Sequence, residues 1–101
     1  MDIIQVVSEY ASKHFNINER SLYSRVRDGK TSTVKFVVWE VLHHEFNVPI
    51  SKLAKAFYRN ERTVKLGVSK MKNWRAFDKY YREVYDQFLE SFLFDKKEGR
   101  P

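Results

Sequence analysis

The chain has 101 residues with a formal charge of +6 and no cysteine, which excludes a disulfide scaffold and a Cys-ligated zinc site. Its length fits one domain with a modest hydrophobic core, and 43% apolar residues argue against disorder. The N-terminus lacks the pattern of a signal peptide, and no stretch approaches the ~20 apolar residues of a membrane helix. We therefore expect a cytoplasmic location and no membrane partner.

The first 23 residues predict one helix and one short helical turn. Asp2 suits the positive N-terminal end of the first helix. Its apolar face is formed by Ile3, Ile4, Val7, Tyr10, Ala11 and His14. Residues 15–18 end this helix. Asn18 is then a good cap for a turn from Glu19 to Tyr23, in which Leu22 is the expected apolar contact.

Residues 24–33 predict a basic loop. Asp28-Gly29 is a turn signal, and Gly29 permits a positive φ. Four basic side chains lie in the loop or beside it: Arg25, Arg27, Lys30 and Lys35. Two interpretations stay open, namely a solvated surface loop, or an arm that grips phosphates or enters a minor groove, where Arg is favoured.

Val34 to Phe46 fits two patterns. Its β-branched and aromatic residues are typical of a strand. Its apolar positions, however, follow the i, i+3, i+4 repeat over three turns. We interpret the segment as a helix at the centre of the core, capped by Ser32 or Thr33 and ended by residues 47–49.

Residues 49–71 predict two short helices joined by a tight turn. Ser51 would cap the first helix and Asn60 the second. The inward residues of the first are Leu53, Ala54 and Phe57, and those of the second are Val64, Gly67, Val68 and Met71. Tyr58 stands where a glycine often makes the turn. Either the turn is built differently, or the Tyr58 ring itself packs.

The second of these helices has a basic outer face. Residues 51–75 contain eight Lys or Arg and only one acidic residue, Glu61. The side chains expected towards solvent are Arg62, Lys65, Ser69, Lys70 and Lys72. This is the layout of a helix-turn-helix whose second helix lies in the DNA major groove. An ordinary pair of solvated helices is the alternative.

The end of the chain predicts a last amphipathic helix, after an interruption at Asn73 and Trp74. Its apolar stripe is Phe77, Tyr80, Tyr81, Val84, Phe88, Leu89 and Phe92. Core packing explains this stripe, but exposed Tyr85, Leu93 and Phe94 would widen it and leave room for a homodimer or a protein partner. We expect an all-α domain over residues 1–95, with five to six helices including a helix-turn-helix, and a frayed polar tail over residues 96–101.

No catalytic pattern is recognisable. His43 and His44 are adjacent, and neighbours on a helix point about 100° apart, so they cannot share a metal ion comfortably. Gly29-Lys30 lacks the rest of a phosphate-binding loop, and no activated nucleophile or carboxylate pair stands out. We expect no enzyme activity, no metal and no cofactor.

Several segments follow the pattern of one known family. They are Ile4–Tyr10, Leu22 with Ser24–Arg27, the positions Glu45, Phe46, Ile50, Leu53, Ala54 and Phe57, and the run Arg59-Asn60-Glu61-Arg62-Thr63-Val64. Over about residues 3–92 they resemble the C-terminal DNA-binding domain (domain IV) of the bacterial replication initiator DnaA. That family has Arg-Asp-His-Ser/Thr-Thr-Val at the last run, so Asn60 and Glu61 depart from it.

The resemblance implies roles for individual residues. Arg59, Asn60, Arg62 and Thr63 would contact bases and phosphates, and Arg25 or Arg27 would enter the adjacent minor groove. With the basic side chains around them, the expected DNA-binding residues are Arg25, Arg27, Lys30, Lys35, Lys52, Lys55, Arg59, Asn60, Arg62, Thr63, Lys65, Ser69 and Lys70. The sequence has no counterpart of the family's ATP-binding domain, so no nucleotide partner is expected.

The expected function is sequence-preferring binding of double-stranded DNA, in regulation of replication or transcription, including that of a mobile element. The alternative is a protein-interaction adaptor on the same fold. It would use the aromatic C-terminal helix and would have lost DNA binding.

Overall fold

The computed structural model describes residues 2–25 and 28–97, and within these ranges it contains helices and no strands. The helices are α1 (Ile3–His14), α2 (Glu19–Tyr23), α3 (Gly29–Glu40), α4 (Ile50–Ala56), α5 (Glu61–Phe77) and α6 (Lys79–Lys97). A π-helical turn, Val41–Glu45, continues α3. The predicted all-α fold of five to six helices is confirmed.

Short polar side chains start most of these helices. Asn18 accepts a hydrogen bond from the backbone N–H of Arg20 at 3.0 Å, and Asn60 accepts one from Thr63 at 2.7 Å. Asp2 caps α1 in the same way. The predicted caps Asn18 and Asn60 are confirmed, because each supplies an acceptor to an N–H group without a partner in the helix. Ser51 is not a cap: α4 follows Pro49 with no side-chain cap, and Ser51 lies inside the helix.

Helix α3 begins five residues before the predicted start at Val34. Asp28 is its N-cap and accepts a hydrogen bond from the Thr31 N–H at 2.8 Å. Gly29 is the first helical residue, without a positive φ. Asp-Gly also suits the start of a helix when the Asp side chain caps it, and this cap replaces the predicted turn. Lys30 therefore lies in α3 and not in a loop, Lys35 lies in the helix as predicted, and Ser32 and Thr33 are not caps.

Tyr58 has the left-handed backbone conformation that a glycine would supply, with φ of 57°. Behind it, the Arg59 N–H donates to the Ala54 carbonyl at 3.0 Å, and the Tyr58 N–H lies 3.4 Å from the Lys55 carbonyl. This is the hydrogen-bond pattern with which many helices end before a left-handed residue. The ring is 73% exposed. Neither expected explanation holds, since the turn has its usual geometry and the ring does not pack inside.

The core is centred on α3, which accounts for the mixed pattern of that segment. The buried apolar residues of α3 and of the π-helical turn that continues it are Val34, Val37, Val38, Trp39, Val41 and Leu42. Because α1, α2 and α5 all pack on α3, an amphipathic stripe would not cover enough of its surface. The prediction of a central helix is confirmed.

Gly67 allows α5 to approach α3 closely. A Cβ atom at Gly67 would lie 2.7 Å from Cε3 of Trp39 and 2.8 Å from Cδ1 of Phe36. Real Cβ atoms do not approach other atoms so closely, so the helix axes could not keep this spacing with any other residue at position 67.

Helix α5 does not end at Asn73 and Trp74, as predicted, but continues to Phe77. Tertiary contacts hold this last part. Nε and Nη2 of Arg75 lie 3.0 and 2.9 Å from Oε2 of Glu40, whose side chain is buried. Trp74 stacks on Tyr81 of α6, with ring centroids 4.7 Å apart. Side chains that looked like an interruption instead join α5 to α3 and α6.

Several aromatic residues of the C-terminal region differ from the prediction in whether they are buried or exposed. Tyr85, expected to be exposed, is buried, and its hydroxyl donates to Oε2 of Glu45 at 3.1 Å. Burial raises the pKa of Tyr85 well above its ordinary value, so the hydroxyl remains a donor. Phe77 and Tyr80, placed in the inward stripe, are exposed. Within the predicted tail, residues 96 and 97 belong to α6, while residues 98–101 lie outside the described residues.

Gly67→Ala should destabilise the fold by about 1–2 kcal/mol. Overpacking against rigid rings costs about 1–3 kcal/mol, and the better helix propensity of alanine returns up to about 1. Gly29→Ala is the matched control, because a Cβ there meets nothing within 4 Å. Urea denaturation should show this control unchanged or slightly stabilised. A Gly67→Ala variant as stable as the wild type would contradict the close approach.

Tyr58→Gly should stabilise the fold by about 0.5–1 kcal/mol. Glycine removes the steric cost of a side chain on a left-handed backbone, about 1–2 kcal/mol, but part of this gain is lost because glycine increases the conformational entropy of the unfolded chain. Tyr80→Gly is the same chemical change at an exposed site inside α6 and should destabilise, since glycine is a poor helix former. Thermal melts of both variants make the comparison. Two shifts of the same sign would rule out the left-handed geometry at Tyr58.

Candidate nucleic-acid interface

The outer face of α5 is the most basic helical surface among the described residues. Val64, Gly67, Val68 and Met71 are buried against the rest of the protein, as predicted. The opposite side of the helix presents Arg62, Leu66, Ser69 and Asn73, which recur at spacings of four, three and four residues. All four side chains are exposed. At a rise of about 1.5 Å per residue they form a ridge roughly 16 Å long.

Cations flank this ridge on both sides. The exposed residues next to it are Thr63, Lys65, Lys70 and Lys72. Lys70 lies over the Phe36 ring of α3, with its Nζ 5.9 Å from the ring centroid. Glu61 is the one acidic residue of α5 and sits in its first turn, where the positive end of the helix dipole favours it. The ridge and the cations beside it together form a positively charged face, which we call the cationic ridge.

The carbonyl of Ser24 is a meeting point of two cations. It accepts a hydrogen bond from Nζ of Lys35 at 2.6 Å and a second one from Nη2 of Arg59. Lys35 belongs to α3, and Arg59 belongs to the turn between α4 and α5. The chain that follows α2 is therefore tied both to the central helix and to the start of α5, which places exposed Arg25 beside that start.

A cleft of about 270 Å³ lies at this point, between α3 and the first turn of α5. It is lined by Arg25, Ser32, Lys35, Phe36, Trp39, Arg59, Asn60 and Thr63. Five of these eight residues belong to the predicted DNA-binding set. The sequence places them between positions 25 and 63, and the fold brings them together.

The pKa values of two basic residues in the cleft are lowered, first by burial and then by a neighbouring cation. Burial lowers the pKa of Lys35 below its ordinary value, and the nearby charge of Arg59 lowers it further. The pKa of Arg59 is lowered by burial and by Arg25. Asp28 acts in the opposite direction on Lys35, but as the smallest of the three causes. Burial and like charge both disfavour these cations, and an anion beside them would offset the repulsion between them.

The structure divides the predicted DNA-binding residues into two groups. Lys35 is only 6% exposed, so it holds the chain in place and does not reach a partner at the surface. Asn60 uses Oδ1 as a helix cap, which leaves only the NH₂ of its amide for other contacts. The exposed members are Arg25, Lys30, Lys52, Lys55, Asn60, Arg62, Thr63, Lys65, Ser69 and Lys70, and Arg59 is half-buried. Arg27 lies outside the described residues.

Sequence reasoning overlooked two residues of the ridge, Leu66 and Asn73. A helical wheel through the predicted inward stripe places both on the opposite side, so the signal was present. Asn73 was missed because it was read as a helix end. The role of the Ser24 carbonyl had no sequence signal, since a backbone group can be reached from any residue type.

Other surfaces of the described residues have fewer features of a binding site. A wider groove of about 610 Å³ runs along the N-terminus of α1, α2 and the turn at Tyr58, with carboxylates and a cation mixed along it. Nδ1 of His43 donates to the Val48 carbonyl at 2.9 Å, a structural contact. Among the described residues, no three metal-ligating side chains converge, and no helix is both long and apolar enough to cross a membrane.

A scan against known protein families finds no match to the chain, and a search of curated proteins finds none either.

Arg59→Met should destabilise the fold by about 1–2 kcal/mol, because the Ser24 carbonyl loses a charged hydrogen-bond donor while the aliphatic stem is kept. Lys55→Met makes the same type of change at an exposed site of α4 and should stay within about 0.5 kcal/mol of the wild type. Urea denaturation measures both. Equal stabilities of the two variants would mean that the hydrogen bond to Ser24 contributes no more than the repulsion between Arg59 and Lys35 costs.

Proposed function

We propose that this chain binds double-stranded DNA, with α5 in the major groove and the cleft beside the sugar–phosphate backbone. The observation that supports this most is the cationic ridge of α5, which is exposed over about three turns and opposite a fully buried stripe. The major groove is about 12 Å wide and admits one α-helix. A solvated structural helix also turns its charged side chains outward, but here four of the five exposed charged residues of α5 are basic.

The ridge residues have side chains suited to base edges. Arg62 lies in the first turn of α5, the part of a recognition helix that reaches deepest, and can donate two hydrogen bonds to a guanine. Ser69 and Asn73 continue the same line. Asn73 can pair with an adenine through both the oxygen and the NH₂ of its amide. Asn60 cannot do so, because its amide oxygen caps α5.

The cations around the ridge are placed for phosphates. Lys52 and Lys55 are exposed on α4, which as the first helix of the pair would cross the backbone. Lys70 and Arg25 flank α5 from the other side. Each phosphate neutralised releases counterions, so the affinity should fall steeply with salt concentration. Arg25 is also the described residue from which a minor-groove contact would start.

The resemblance to domain IV of DnaA extends this proposal to sequence-preferring binding, in regulation of replication or transcription or in a mobile element. The departures at Asn60 and Glu61 fall on the first turn of α5. Asn60 keeps a capping function there, while exposed Glu61 would repel a phosphate unless it accepts a hydrogen bond from a cytosine amine. A preferred site different from that family's is therefore part of the proposal.

A protein-interaction adaptor is the second candidate. Leu93 and Phe94 are 46% and 56% exposed near the end of α6, and adjacent exposed apolar side chains of this size suit a protein surface or a second copy of the chain. Tyr85 no longer supports this candidate, because it is buried.

Arg62→Glu should weaken binding to duplex DNA about ten- to a hundredfold while the fold stays intact, since it removes a base contact and repels the backbone. Lys13→Glu is the control: it changes the charge by the same amount at the far end of α1 and should change the affinity little. Fluorescence anisotropy with a labelled random duplex, at rising salt, measures both.

Equal affinities of the two variants would remove α5 as the recognition helix. Negligible binding by the wild type even at low salt would reject DNA binding and favour the adaptor.

A further inference from the structure

Leu66 is an exposed leucine in the middle of the cationic ridge. Its side chain is 54% exposed, against 46% for Leu93 and less for the other leucines among the described residues. Arg62 precedes it by one helical turn, and Ser69 and Lys70 follow at the next turn, all exposed. An apolar group is thus surrounded by groups that donate and accept hydrogen bonds.

An exposed leucine alone is common on protein surfaces and needs no partner. Phe77, Tyr80, Leu93 and Phe94 are exposed too, and nothing around them says what would cover them. Leu66 differs because its neighbours define the occupant. Whatever approaches Leu66 must also accept the flanking cations Arg62, Lys65 and Lys70, and so must be polyanionic and yet present an apolar group at its centre.

The major groove of DNA offers one such group. The C5-methyl of thymine is the apolar feature that base edges present there, and aliphatic side chains contact it. We propose that Leu66 packs on a thymine methyl and thereby selects a thymine at one position of the binding site. This inference rests on the proposed function of α5.

The geometry also fixes where that thymine lies. Arg62 and Leu66 are one turn apart, about 5.4 Å along the helix, and base pairs are spaced about 3.4 Å along a strand. The selected thymine is therefore within one or two base pairs of the guanine that Arg62 contacts. The protein reads a short G- and T-containing step, the guanine by hydrogen bonds and the thymine by its methyl group.

Deoxyuridine substitution tests the contact directly. A duplex is selected from a random library with the wild-type protein, and each thymine is then replaced by deoxyuridine, which removes only the methyl group and keeps base pairing. At one position the wild type should bind about three- to tenfold more weakly, the change expected from uncovering about one buried methyl group. Leu66→Ala should bind both duplexes equally.

Leu93→Ala is the matched control, an exposed leucine on α6 away from the ridge, and it should keep the full deoxyuridine effect. A thermal melt confirms that both variants fold. The inference is overturned if no thymine shows an effect, if the selection yields no preferred sequence, or if Leu66→Ala keeps the effect. Failure of the proposed function is distinct, because the wild type would then bind none of the duplexes.

Discussion

The contact of α5 with α3 at Gly67 is the constraint on which the rest of the structure depends. Because no side chain stands between the helices there, the Trp39 and Phe36 rings lie directly against the backbone of α5. This fixes the side of α5 that is buried, and with it the side that is exposed. The ridge from Arg62 to Asn73 is the consequence of a glycine on the opposite face. The proposed recognition surface is thus set by core packing.

Each end of α5 is held by a polar contact of a different kind. At the C-terminal end, Arg75 pairs with buried Glu40 and lies over the Tyr85 ring, 4.3 Å from its centroid. Burying a charge is costly unless it is paired, so such a contact favours one rotation of the helix more than it adds stability. At the N-terminal end, Arg59 and Lys35 share the Ser24 carbonyl. Together they orient both α5 and the residues after α2, Ser24 and Arg25.

The elements that sequence predicted correctly have local causes. The caps Asn18 and Asn60 and the inward stripe of α5 follow from periodicity and from one hydrogen bond each. The errors arose where contacts with residues distant in the sequence determine the local structure. Asn73 has the residue type of a helix end, but the helix continues through it because Trp74 packs on Tyr81. The cleft could not be predicted, since it depends on a backbone carbonyl and two side chains from different parts of the chain.

Amide chemical-shift mapping is the most direct test of the central claim, that the cationic ridge and the cleft form one duplex-binding surface. A ¹⁵N-labelled chain is titrated with a duplex of about 15 base pairs at low salt. We expect the shifts to concentrate in α4, in the first three turns of α5 and around Ser24 and Arg25, with α1 and the second half of α6 unchanged. Shifts concentrated on Leu93 and Phe94, with none on α5, would contradict it.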